Sequence, residues 1–322
     1  MSGRPLRGST RNGAPGCSPS ATRHTGSSRS PPEGAVVFTG CVRAHPVRIV
    51  DVFSAVPFRG NALAVIHDAD DLSDTEMATI ARWTNLSETT FLCAPRTAEA
   101  DYRVRIFTTG GELPFAGHPT LGSAHSWLEA GGTPRREPVV VQECGAGLVP
   151  VSRGEVLAFA APPLVRSGPV AQEDADRVLR LLRLGRDDVI DLAWTDNGPG
   201  WISVELPSAE AVLDIVPDTT AAAGLAVGVV GRYAVEEEAP DGALVEVRAF
   251  YDDGAGLFED PVTGSLNAGI AQWLIGAGRL PQRYRAAQGS RIGRSGRIDI
   301  EARDGAVWVG GEVVTRIVGE IS

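Results

Sequence analysis

Glu112-Leu113-Pro114-Phe115-Ala116-Gly117-His118-Pro119 leads into a run of small and apolar residues that ends at Gly131-Gly132. Proline is tolerated in the first turn of a helix, because its missing N–H would have had no partner there. The stretch therefore predicts a helix to about Ala130. Further along, Glu259-Asp260-Pro261-Val262-Thr263-Gly264-Ser265 precedes a second apolar helix, from about Leu266 to Ala277, stopped by Gly278. A shift of 147 residues superimposes Glu112 on Glu259, Pro114 on Pro261, Gly117 on Gly264, Gly122 on Gly269, Ala124 on Ala271 and Gly131 on Gly278. Upstream, Val104-Arg105-Ile106-Phe107 answers Val247-Arg248-Ala249-Phe250. The reading is two copies of one α+β unit. Each wraps a sheet around a central helix, and the two helix starts face each other across a cleft.

Working outward, order is expected to begin with the alternating strand Val47–Phe53, followed by a strand at Leu63–Ile66. Ser73-Asp74-Thr75-Glu76 has the spacing of a capping box and opens a helix through Trp83. Thr89–Leu92 and Tyr102–Phe107 read as strands. The expected division is a disordered tail over 1–46, one lobe over 47–165 and a second over 166–322, whose last strand returns to the first. Residues 1–34 are rich in Gly, Ser, Pro and Arg and cannot bury enough surface to offset their ordering entropy. They lack the apolar core of a secretory signal.

Composition excludes several chemistries. The net charge is −10, yet residues 1–46 carry six Arg against one Glu, so the body is strongly acidic. That argues against nucleic acid or an anionic membrane as partner. All 30 basic residues are arginine. Without lysine there is no Schiff-base chemistry and no Walker-type phosphate loop. Cys17, Cys41, Cys93 and Cys144 are far apart, which speaks against a zinc site or a secreted disulfide framework and for a reducing cytoplasm.

Each helix start presents free N–H groups and the positive end of a helix dipole, a place for an anion such as a substrate carboxylate. His118 stands at the first start. Its imidazole can pass a proton there, although a packed histidine fits the residues equally well. Ser265 is its counterpart and alone reads as a cap; no GxSxG elbow makes it a nucleophile. Asp260 alone reads as a complement to the dipole. Glu88 lies in Asn85-Leu86-Ser87-Glu88-Thr89-Thr90-Phe91, between a helix and a strand. It is a solvated junction acid unless it points into a dry cleft, where desolvation would raise its pKa and suit it to proton transfer. His125 reads as structural, Trp127 and Trp273 as core, and Glu236-Glu237-Glu238 as a solvated loop.

Taken in order, Val50-Asp51-Val52-Phe53, Pro57-Phe58-Arg59-Gly60-Asn61, Asn85–Thr89, Gly117-His118-Pro119-Thr120-Leu121, Glu259–Ser265 and Gln288-Gly289 resemble the phenazine-biosynthesis isomerase (PhzF-like) family. The resemblance runs from about residue 47 to the end. It implies the diaminopimelate-epimerase fold, two pseudo-symmetric lobes with the site between them, and a homodimer. It further implies a proton shift in a small carboxylated, cyclic substrate, without metal or cofactor. By motif, Glu88 would be the general acid/base. His118, Asp260 and Ser265 would orient substrate and assist proton transfer, with Ser87, Gly117 and Gly264 as substrate-binding positions. The related epimerases use two cysteines before their central helices; the corresponding residues here are Ala116 and Thr263, which disfavours a two-thiol racemase. Leu266-Asn267 departs from the small residue and histidine of many members and leaves substrate identity open. An epimerase using Glu88 and another base, or a non-catalytic metabolite-binding protein, are the alternative readings.

Overall fold

The computed structural model describes residues 43–222, 224–234, 239–252 and 256–322. The expected loop at Glu236–Glu238 and residues 1–42 of the expected tail lie outside them. The first strand, β1 (His45–Val52), starts two residues before the expected Val47, because His45 and Pro46 pair with Ile321 and Glu320 of the last strand.

The first half continues with β2 (Asn61–Ile66), α1 (Asp74–Thr84), β3 (Glu88–Cys93), β4 (Tyr102–Phe107), β5 (Glu112–Leu113), α2 (Gly117–Glu129), β6 (Val139–Cys144), β7 (Gly147–Arg153) and β8 (Leu157–Ala160). The second half runs β9 (Arg166–Pro169), α3 (Gln172–Leu182), β10 (Asp191–Asp196), β11 (Trp201–Glu205), α4 (Ala209–Leu213), β12 (Ala226–Arg232), β13 (Val245–Asp252), β14 (Leu257–Asp260), α5 (Gly264–Gly276), β15 (Arg283–Gln288), β16 (Gly296–Arg303) and β17 (Ala306–Gly311). The final strand is β18 (Val313–Ile321).

The strand pairings repeat in order. In the first half β1–β2 is antiparallel, β2–β3 parallel, β3–β4 and β4–β5 antiparallel, β4–β6 parallel, and β6–β7 and β7–β8 antiparallel. In the second, β10–β11 is antiparallel, β11–β12 parallel, β12–β13 and β13–β14 antiparallel, β13–β15 parallel, and β15–β16 and β16–β17 antiparallel. The outer strands complete the match by exchange. Strand β9 pairs with β10, while β18 crosses back to pair with β1. Strand β8 joins the halves by pairing with β17.

The repeat extends to side chains. Arg105 forms a two-pronged ion pair with Glu112 (2.8 and 2.6 Å) and lies over Phe107. Arg248 does the same with Glu259 (2.9 and 2.8 Å) and lies over Phe250.

The two central helices are buried on nearly every side of their first two turns, which is why those turns hold no charged residue and many small ones. A Cβ on Gly122 would come within 2.6 Å of Leu63, and one on Gly269 within 2.3 Å of the Thr195 carbonyl. Glycine thus lets each helix lie directly on its sheet. Around them Val50, Leu63, Leu121, Val247, Leu266 and Ile270 are fully buried, each worth ~1.5–3 kcal/mol relative to exposure. Leu266, the departure noted above, packs on Gly228 of β12, where a Cβ would meet it at 2.3 Å. Its extra bulk occupies the space of an absent side chain.

Candidate active site

Helices α2 and α5 meet at their N-termini. A Cβ on Gly117 would lie 2.9 Å from Gly264 Cα, and one on Gly264 3.1 Å from Gly117 Cα. Only two glycines permit this approach. The N-cap residues are Ala116 and Thr263, the positions where two cysteines were considered, and neither side chain caps its helix. By contrast Ser73 closes α1 with a complete capping box. Among the described residues, neither N-cap side chain accepts from the first-turn N–H groups of its helix.

Glu88 opens β3, whose parallel partner residue is Leu63. Its side chain is 14% exposed, and its Oε2 lies 3.3 Å from His118 Nε2. The two atoms are too poorly aligned for a hydrogen bond, and neither has another partner among the described residues. Burial, and then the charge of Asp260, push the Glu88 carboxyl up to about 8. Burial pushes the His118 imidazole down to about 3, so it is neutral at physiological pH.

Asn61, the first residue of β2, ties the groups together. Its Nδ2 is 3.0 Å from Asp260 Oδ1, 3.0 Å from the Val262 carbonyl and 3.3 Å from His118 Nδ1. The two oxygen acceptors fix the amide orientation and can take both of its hydrogens; an amide nitrogen does not accept, so the His118 Nδ1 beside it is the unprotonated nitrogen. The imidazole proton then sits on Nε2, facing Glu88.

Asp260 ends β14. Burial raises it to about 6, against the opposing effect of hydrogen bonds from Thr263 and Asn61. Thr263 Oγ1 donates to Asp260 Oδ2 at 2.5 Å while accepting from Gln288 Nε2 at 2.8 Å. Gln288 Oε1 accepts from the Thr263 N–H (3.0 Å) and from Asn267 Nδ2 (2.9 Å). Asn267, the second residue of the departure, therefore braces the start of α5. Ser265 is buried, and its Oγ accepts from Trp201 Nε1 at 3.0 Å. Ser87 is exposed in the turn before β3 and makes none of these hydrogen bonds. His125 lies elsewhere, against Thr315 (3.1 Å), and Trp127 stacks on Tyr102.

The structure thus gathers Glu88, His118, Asp260 and Ser265 around the paired glycines. It adds Asn61, Thr263, Gln288 and Trp201, to which no site role was given from sequence. Asn61 had a readable signal, as the one polar residue opening the apolar strand Asn61–Ile66. Trp201 had none beyond its turn. Among the described residues no cluster of three or more His, Cys, Asp or Glu is placed to hold a metal. No helix among them is long and apolar enough to cross a membrane.

Two carboxyl groups with separated pKa values beside a neutral imidazole have the chemistry to give and take protons near neutral pH. Comparison with known proteins gives the family. The family model described as phenazine biosynthesis-like protein (PhzC-PhzF) matches residues 50–319. Antisense-enhancing sequence 1 of Schizosaccharomyces pombe is 33% identical, covering 86% of this chain and 98% of its own. The trans-2,3-dihydro-3-hydroxyanthranilate isomerase of Pseudomonas chlororaphis is 34% identical, covering 78% and 87%. Among solved structures, a PhzF-family protein of Enterococcus faecalis superposes with a TM-score of 0.69 at 25% identity, covering 87% of this chain and all of that one.

Proposed function

The chain belongs to the phenazine biosynthesis-like (PhzC-PhzF) family, and on that premise we propose that it is an isomerase moving a proton, and with it a double bond, in a small carboxylated cyclic metabolite. One observation carries the reading: the Glu88 carboxyl is buried, raised to about 8 and faces the neutral His118 at the meeting of two helix starts. In the proposed reaction Glu88, as carboxylate, takes a proton from a saturated carbon beside an unsaturated system. It returns that proton to another carbon of the same system as the double bond shifts, so the enzyme ends as it began. A pKa near the working pH makes both transfers easy. The free N–H groups of the two helix starts and the Ser265 hydroxyl suit the substrate carboxylate. Asp260 and His118 orient the reacting end. These steps use only side chains and main-chain groups of the protein. An epimerase using Glu88 and Asp260 as bases on opposite faces is the second reading, favoured by the raised pKa of both acids.

The test is proton exchange. Purified protein in D₂O, given trans-2,3-dihydro-3-hydroxyanthranilate, is expected to form a rearranged product with deuterium at the new C–H, followed by NMR. Inverted stereochemistry without a shifted double bond would select the epimerase. No exchange or rearrangement of this compound would exclude it as substrate.

The rate should also report Glu88. Only the ionised carboxylate can accept the first proton, so kcat/KM is expected to rise tenfold per pH unit below a midpoint near 8 and level off above it. A flat profile from pH 6 to 9 would remove Glu88 from the base role. We also propose a homodimer, supported by the family, in a reducing cytoplasm, supported by the free thiols of Cys93 and Cys144.

A further inference from the structure

Ser265 is held by one short turn. Strand β10 ends at Asp196, whose Oδ1 accepts from the N–H groups of Gly198 and Gly200, both at 2.7 Å. Gly198 and Gly200 have φ of 143° and 86°, conformations that other residues rarely adopt. The turn is therefore closed by its own side chain and built on glycine. It presents two residues to the start of α5. Asn197 Nδ2 donates to the Ser265 carbonyl at 2.8 Å, and Trp201 Nε1 donates to the Ser265 hydroxyl at 3.0 Å. Asn197 and Trp201 are 8% and 3% exposed, so both contacts are shielded from water.

The direction of the second contact matters. An indole N–H can only donate, whereas a serine hydroxyl can donate one hydrogen bond and accept others. Because Trp201 occupies a lone pair of Ser265, the Ser265 proton must point away from the indole. The first half of the molecule has a matching arrangement, in which Asn61 at the start of β2 places its amide nitrogen 3.3 Å from His118 Nδ1. In each half, a side-chain nitrogen from the first residue of a strand orients the polar side chain at the helix start.

We propose that Trp201 is a positioning residue that turns the Ser265 proton away from the indole, so that the α5 side of the site favours a substrate group that accepts, a carboxylate. This rests on the reading of the site as one for a small carboxylated ring. Trp201 itself need not touch the substrate.

The test uses two probes, 3-hydroxyanthranilate and 2-aminophenol, which is the same ring without the carboxylate, with binding measured by calorimetry. Wild type is expected to prefer the carboxylated ring. Trp201→Phe keeps a buried aromatic ring but loses the N–H. It is expected to weaken 3-hydroxyanthranilate about tenfold, the scale of a hydrogen bond to a charged group, and to leave 2-aminophenol unchanged. Ser265→Ala should give the same pattern, and the double variant should be no worse than Ser265→Ala alone. A merely structural role would weaken both probes together, and that result would overturn the proposal. So would losses that add in the double variant, or a carboxylate preference that survives Trp201→Phe. A wild-type protein indifferent to the carboxylate would instead overturn the carboxylated-ring reading itself, and the proposal with it.

Discussion

Replacing Glu88 with glutamine is expected to cut proton exchange by ~10²–10⁴-fold, the usual scale of a positioned acid/base, while making the protein more stable at pH 7. The two effects share one cause. In the unfolded chain the Glu88 carboxyl ionises near its ordinary value of 4.5; in the fold, burial raises it to about 8. A raised carboxyl pKa means that stability is complete below about 4.5 and is lost as pH rises towards 8. At pH 7 the burial of this acid costs on the order of 3 kcal/mol, at about 1.4 kcal/mol per pH unit. Glutamine keeps the shape and cannot ionise, so its melting temperature should exceed that of the parent at pH 7, with the gain gone near pH 4. A variant that is inactive and less stable at pH 7 would mean that Glu88 is not held in a dry site.

Arg248→Ala is expected to lose ~3–5 kcal/mol of folding stability, whereas Arg105→Ala should lose only ~0.2–1 kcal/mol. The two arginines hold equivalent places in the repeat and make the same two-pronged pair with a glutamate. They differ in surroundings. Arg248 and Glu259 are 5% and 13% exposed, and Arg248 also donates to the Val212 and Ile215 carbonyls of the α4 region. Removing it leaves a buried carboxylate and the carbonyls of Val212, Leu213 and Ile215 without this donor. Arg105 is 17% exposed, but its partners Glu112 and Asp74 are 43% and 84% exposed, so water can take over their solvation. Urea unfolding of both variants checks this. Equal losses would mean that burial does not separate the two pairs.

The fold was legible where a backbone constraint writes itself into residue type. Pro119 in a first turn, glycine where helix meets helix or sheet, and the capping box at Ser73 each mark one local geometry. The recurrence of Pro114, Gly117, Gly122 and Gly131 as Pro261, Gly264, Gly269 and Gly278 revealed the duplication. The site was legible where the same constraint coincided with a reactive group, as at His118 and Ser265. Glu88 was ambiguous in sequence, because burial, which makes it chemically special, comes from strands and helices that are distant along the chain. Asn61 touches His118, Asp260 and Val262, which lie 57, 199 and 201 residues away. No local pattern records such contacts. Trp201 hides likewise in a turn whose Gly-Pro-Gly content announces only a change of direction. The departure at Leu266-Asn267 left substrate identity open in sequence; in the fold Leu266 fills the space over Gly228 and Asn267 braces Gln288.

The return of β18 to β1 has a consequence for how the molecule is made. Strand β1 emerges from the ribosome well before one of its two hydrogen-bonding neighbours, β18. At ~5–20 residues per second, that neighbour arrives roughly 10–50 s later. Until then one edge of β1 has its N–H and C=O groups unpaired, the arrangement most prone to pairing with another chain. The half that is translated first is thus among the last parts to be sealed. Folding of the first half during synthesis therefore leaves this one edge to be completed by β18.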